Sequence, residues 1–146
     1  MINTNHKGGA TMGLDNAICI RRNNTTNRIK ELEQFNWDFD NELEYDFEVV
    51  YYRKCWNIRN DILYLIGKRL TDEYEFSLTK YDVEAIIKLL KSYNKENFED
   101  NGSCIWNWDD EEWPYSEKIQ EDIQKLETLK ELMDKYDLDV YFYDSY

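Results

Sequence analysis

The chain has one histidine and one proline among its 146 residues. The histidine, His6, sits in a polar leader, so histidine-based acid–base chemistry inside the folded part is nearly excluded. Cysteine is scarce as well: Cys19, Cys55 and Cys104 are odd in number, far apart and form no CxxC pair. That disfavours both a disulfide framework and a zinc knot. The five glycines form neither GxGxxG nor GxxxxGK[ST], so no phosphate-cradling loop is present. No apolar run approaches the roughly 18 residues of a membrane span, and no signal peptide is visible. The longest such run, ILYLI at residues 62–66, belongs to a helical pattern. A soluble cytoplasmic protein is the expectation. Basic side chains number 18 against 31 acidic ones, for a net charge of −13. A field of that sign repels nucleic acid and anionic membranes and attracts basic protein surfaces. It also keeps a small protein soluble.

Aromatic residues are plentiful. Twelve tyrosines and five tryptophans argue for a packed core despite the acidity, since disordered acidic chains are poor in aromatics. The length suits one domain, expected over residues 12–146. Residues 1–11, MINTNHKGGAT, are polar and aperiodic, and read as a flexible leader or a misplaced start: Lys-Gly-Gly can be encoded as a ribosome-binding site ahead of Met12.

Residues 35–50, FNWDFDNELEYDFEVV, alternate with period two. Phe35, Trp37, Phe39, Leu43, Tyr45, Phe47 and Val49 lie on one side. Asp38, Asp40, Glu42, Glu44, Asp46 and Glu48 lie on the other. The pattern predicts strand, broken near Asn41, with an exposed row of carboxylates about 6.6–7 Å apart. That spacing imitates successive phosphates, so the row is a candidate surface for a basic protein partner. The alternative role is solubilisation of a sheet edge.

From Tyr51 the period changes. Tyr51, Cys55, Ile58, Ile62, Leu65 and Ile66 recur at helical spacing, predicting a helix over residues 51–70 that frays near Gly67. Tyr52, Arg53, Trp56 and Arg59 on this helix are candidates for an aromatic pocket with a cationic rim, suited to a small anionic ligand such as a nucleotide. The competing reading is an amphipathic helix whose arginines pair with nearby carboxylates. NAICI at residues 16–20 and EYEFSL at residues 73–78 read as strands. Thr79 with Asp82 forms a capping box ahead of a second helix bearing Val83, Ile86, Ile87 and Leu90. CIWNW at residues 104–108 reads as strand. Trp106 and Trp108 then point the same way and are candidate protein-binding anchors. The carboxylates at residues 109–112 suit the N-terminus of the next helix, which Pro114 introduces. They lack EF-hand spacing, and no metal or other cofactor is expected. The third helix, over residues 115–136, turns Ile119, Ile123, Leu126, Leu129 and Met133 inward, and residues 138–143 close the chain as strand.

The order predicts an α+β domain: a single, mostly antiparallel sheet of about four to six strands backed by three helices, with one solvated or ligand-binding face. MGLD at residues 12–15 and YYRKCWNIRNDI at residues 51–62 resemble a family of small uncharacterised phage and Firmicute proteins, and FSLTKYDVEAIIKLL is similar to that family's strand, cap and helix. Tyr51, Arg53, Lys54 and Ile58 match its Y-W-R-K-x-x-x-I-H helix, whereas Tyr52 and Arg59 stand where tryptophan and histidine are usual. The resemblance implies phage or prophage origin, and it carries over no catalytic residue. The combined expectation is a phage-type accessory protein, not an enzyme, that modulates a basic host protein, including nucleic-acid-binding or defence proteins. The alternatives are a nucleotide-sequestering protein and a metal-dependent enzyme acting on a phosphorylated substrate.

Overall fold

A computed structural model describes residues 15–35, 46–53, 55–67, 74–94 and 116–145. Four strands form one antiparallel sheet: β1 (Asp15–Ile20), β2 (Phe47–Arg53), β3 (Glu75–Ser77) and β4 (Val140–Ser145), in spatial order β2-β1-β4-β3. Three helices accompany it: α1 (Trp56–Leu65), α2 (Lys80–Ser92) and α3 (Ser116–Lys135). The expected α+β class is what the chain adopts.

The helices follow from local chemistry. Thr79 Oγ1 accepts from the Asp82 N–H at 3.2 Å, and the Asp82 carboxylate accepts from the Thr79 N–H at 2.8 Å. This reciprocal cap starts α2. Replacing Thr79 with alanine is expected to cost about 1 kcal/mol, read by urea unfolding. Helix α1 ends at Gly67, whose φ of +71° is left-handed backbone that favours glycine. Helices α2 and α3 are antiparallel, tied by Lys80–Asp134, Glu84–Lys130 at 3.7 Å and Lys91–Glu127 at 3.0 Å. Their apolar stripes meet the sheet through Val83, Ile86, Ile87 and Leu90, and through Ile119, Ile123, Leu126, Leu129 and Leu132. Met133, expected on the core face, is only partly buried.

Two expectations change. First, Tyr51, Tyr52 and Arg53 belong to β2, not to the following helix, which begins at Trp56. Pairing decides it: Tyr51 lies opposite Ala17, and Tyr52 opposite Asn16. Residues 30–35 form a 3-10 helix, so Phe35 enters the core from a turn. Second, β1 and β4 are buried along their whole length on both faces. One face carries Ile18, Ile20, Val140 and Phe142 into the core shared with the helices. The other gathers Ala17, Cys19, Tyr141 and Tyr143, with Tyr51 partly buried beside them. Aromatic-rich alternation predicts a solvated or ligand-binding face, but a tyrosine ring buries as well as a phenylalanine ring where its hydroxyl finds a partner.

Candidate functional site

Buried charge is rare in a protein interior. Here most of it gathers at one end of the sheet. Asp15, Asn16, Arg59, Asp122, Asp144 and Ser145 are all buried. Register explains the grouping: Asp15 faces Arg53 on one side and Ser145 on the other, and Asn16 lies between Tyr52 and Asp144. Strand β1 therefore starts where β2 and β4 end.

The centre is an ion pair. Arg59, in the second turn of α1, points onto the sheet. Its Nε and Nη2 donate to the two oxygens of Asp144, at 2.8 and 2.9 Å. Asn16 Nδ2 donates to Asp144 Oδ1 at 2.7 Å, while Asn16 Oδ1 is buried without a hydrogen-bond partner. The guanidinium carbon sits 5.3 Å from the Trp56 ring centroid, and Nη1 donates to Asn60 Oδ1 at 3.2 Å. Such a fork-on-fork pair is strong and oriented. On the opposite face, Tyr51 Oη donates to Asp15 Oδ1 at 2.6 Å. Burial, then that bond to a carboxylate, raises the Tyr51 pKa.

A seam between α3 and the edge strand β2 extends this polar end. Lys118 Nζ donates to both oxygens of the fully buried Asp122, at 2.8 and 2.7 Å, and lies 4.9 Å from the Tyr52 ring centroid. Burial raises the Asp122 pKa, and Lys118 opposes it. Glu48 stands further along β2, opposite Cys19 at a bulge in the β1–β2 pairing. Its Oε1 is buried without a hydrogen bond. Burial pushes its pKa up to about 7, against the pull of Lys118 and Lys125 and with the help of Asp15.

The opposite end is anchored by Asp46. Its carboxylate accepts from Tyr141 Oη at 2.5 Å, from the Arg22 N–H at 2.9 Å and from Arg21 Nη1 at 3.4 Å. Burial works against the charge, yet its hydrogen bonds prevail and the pKa is lowered. Arg21 also reaches Glu75 at 2.7 Å and Asp139 at 3.5 Å, and its guanidinium stacks on Tyr141 at 4.2 Å.

Among the residues expected to hold an anionic ligand, Trp56 and Arg59 meet at the start of α1. Tyr52 lies beneath α3 in the core, and Arg53 is exposed at the end of β2. The cationic rim is thus an internal ion pair: a ligand would have to displace Asp144 from Arg59. In the acidic row, Asp46 is buried and Glu48 is half-buried, whereas both were expected on an open surface. Burial follows because both side chains lie on the second, covered face of the sheet, Asp46 beside Tyr141 and Glu48 opposite Cys19. Asp38, Asp40, Glu42, Glu44, Trp106, Trp108 and the carboxylates at 109–112 lie outside the described residues. Sequence reasoning passed over Asn16, Lys118, Asp122 and Asp144. Only Lys118–Asp122, four apart beside Ile119 and Ile123, left a local trace. Among the described residues, no group of three His, Cys, Asp or Glu side chains has the arrangement of a metal site, and no helix is long and apolar enough to cross a membrane. No protein-family model, curated protein or solved structure matches the chain.

Proposed function

We propose that the protein is a non-catalytic binding protein, a phage-type accessory factor whose partner is a basic host protein. One observation carries the reading. Residues 36–45 and 95–115 hold eleven carboxylates against a single lysine, and four of the five tryptophans. These segments therefore account for most of the net charge of −13. The body they join to pairs three buried carboxylates with its own cations: Asp144 with Arg59, Asp122 with Lys118, Asp46 with Arg21. Dense negative charge interleaved with large rings suits a surface that draws in a basic protein and anchors on its aromatics. The phage resemblance points to a bacterial target, with nucleic-acid-binding or defence proteins as the class whose own surfaces are basic.

Capture from bacterial lysate followed by surface-plasmon kinetics tests it. Replacing Asp38, Asp40, Glu42 and Glu44 together by their amides is expected to slow association with the captured partner about tenfold. Raising salt from about 50 to 300 mM should slow the parent and affect the quadruple variant far less. Trp106→Ala or Trp108→Ala should instead quicken dissociation. A quadruple variant with parental rates and salt response would overturn the reading.

A further inference from the structure

The buried apolar residues of the three helices, and Leu32 and Phe35 of the 3-10 turn, all pack into the cluster on the first face of the sheet. On the second face, the only described apolar side chain packed against Ala17, Cys19, Tyr141 and Tyr143 is Tyr51 of β2. Yet Tyr141 and Tyr143 are only 1% and 2% exposed. Their neighbours in the sheet do not account for this. Tyr141 stands between Cys19 and Ser77, and Tyr143 between Ala17 and Glu75. A tyrosine ring rises well above an alanine, a cysteine or a serine. Arg21 stacks on Tyr141 at 4.2 Å. The rest of the cover has to come from elsewhere in the chain.

Charge and reach select the segment. This face carries Asp15, Asp46, Glu48 and Glu75 against Arg21 and Arg53, and Arg21 is already engaged with Asp46 and Glu75. Residues 36–45 and 95–115 are strongly acidic, so laying either on this face would gather like charges away from water. Residues 68–73 only join Gly67 to Tyr74. Residues 1–14, which lie outside the described residues, hold no carboxylate and bring His6 and Lys7. Ile2, Met12 and Leu14 supply apolar side chains, and Gly8, Gly9 and Ala10 let the backbone lie close to a ring. The segment leads straight into β1 at Asp15. A strand of that length spans about 20 Å, and a segment of this length extends to about 45–50 Å, enough to cross the face.

We propose that residues 1–14 fold back over the second face of the sheet as a strap, with apolar groups on Tyr141 and Tyr143 and Lys7 among the carboxylates. The assignment is independent of the partner-binding reading, which rests on residues 36–45 and 95–115.

Two measurements on the full chain test it. Nuclear Overhauser contacts should join the methyls of Ile2, Thr4 or Ala10 to the ring protons of Tyr141 and Tyr143. No such contact, or contacts to those rings from residues 36–45 or 95–115 instead, would overturn the strap. In a Cys104→Ser background, Lys7→Glu sets a carboxylate against this face. It should raise the alkylation rate of Cys19 about tenfold by loosening the cover, while Cys55, in the first-face cluster, keeps its rate. An unchanged rate at Cys19 would remove the charge argument for this segment and the proposal with it.

Discussion

Asp144→Ala is expected to destabilise the fold by about 3–5 kcal/mol, because it strands the Arg59 guanidinium in the interior. Against an ordinary domain stability of about 5–15 kcal/mol, that brings the chain close to unfolding at 25 °C. Three groups lose a partner at once: Arg59 Nε, Arg59 Nη2 and Asn16 Nδ2 all donate to this one carboxylate. Asp144→Asn should recover little, since an amide cannot neutralise the arginine and sets a donor against its fork. The informative variant is the pair Arg59→Met with Asp144→Leu, which removes both charges. Its cost should fall below that of Asp144→Ala alone, as expected when a buried pair is exchanged for apolar packing. Urea unfolding of the two single variants and the double completes the cycle. A loss under about 1 kcal/mol in Asp144→Ala would mean that Arg59 reaches water readily. It would also reopen Arg59 as a cation for an external anion.

That ion pair was illegible in the sequence for a physical reason. Arg59 and Asp144 are 85 positions apart, and Asn16 and Asp144 are 128 apart. Nothing local marks Asp144 as different from its acidic neighbours. Its burial arises because β4 places it opposite Asn16, on the face that α1 covers. The elements with strong local signals are legible. The capping box and apolar spacing fix α2, and the stripe from Ile119 to Leu129 fixes α3. NAICI gives β1 almost to the residue.

The boundary between β2 and α1 shows where period reading fails. Tyr51, Cys55, Ile58 and Ile62 do recur at helical spacing. Yet Val49, Val50, Tyr51 and Tyr52 also suit a pleated strand. Both periods fit the same letters. Pairing with β1 breaks the tie, and the helix waits until the strand has left the sheet at Arg53. The candidate ligand site requires Tyr52 and Arg53 to share a helix with Trp56 and Arg59. Once the two are in a strand, Tyr52 turns under α3 and Arg53 into solvent, and the four no longer surround one space.

Asp46→Ala is the second substitution expected to carry a large cost, about 3 kcal/mol, and its pH behaviour separates it from Glu48 two positions on. Both were read as members of one exposed acidic row. The fold treats them oppositely. Asp46 is met by hydrogen bonds that include those of the Tyr141 hydroxyl and the Arg22 N–H, and together they favour its charged form in spite of burial. Glu48 has a buried oxygen with no donor, so its neutral form is favoured. Donors on the carboxylate, more than burial as such, set the direction. The pKa of Asp46 is lowered below its ordinary 3.8. Its stabilisation is therefore present above about pH 4 and is lost as pH falls through its folded value, the reverse of Glu48. Urea unfolding from pH 3 to 8.5 should give a dome. Asp46→Asn should lower the plateau and flatten the acid side, since the amide has no charge to lose. Glu48→Gln should flatten only the alkaline side. An acid limb of undiminished slope in Asp46→Asn would show that other carboxylates govern acid unfolding. The Tyr141–Asp46 bond would then be an ordinary buried contact rather than the anchor of that end of the sheet.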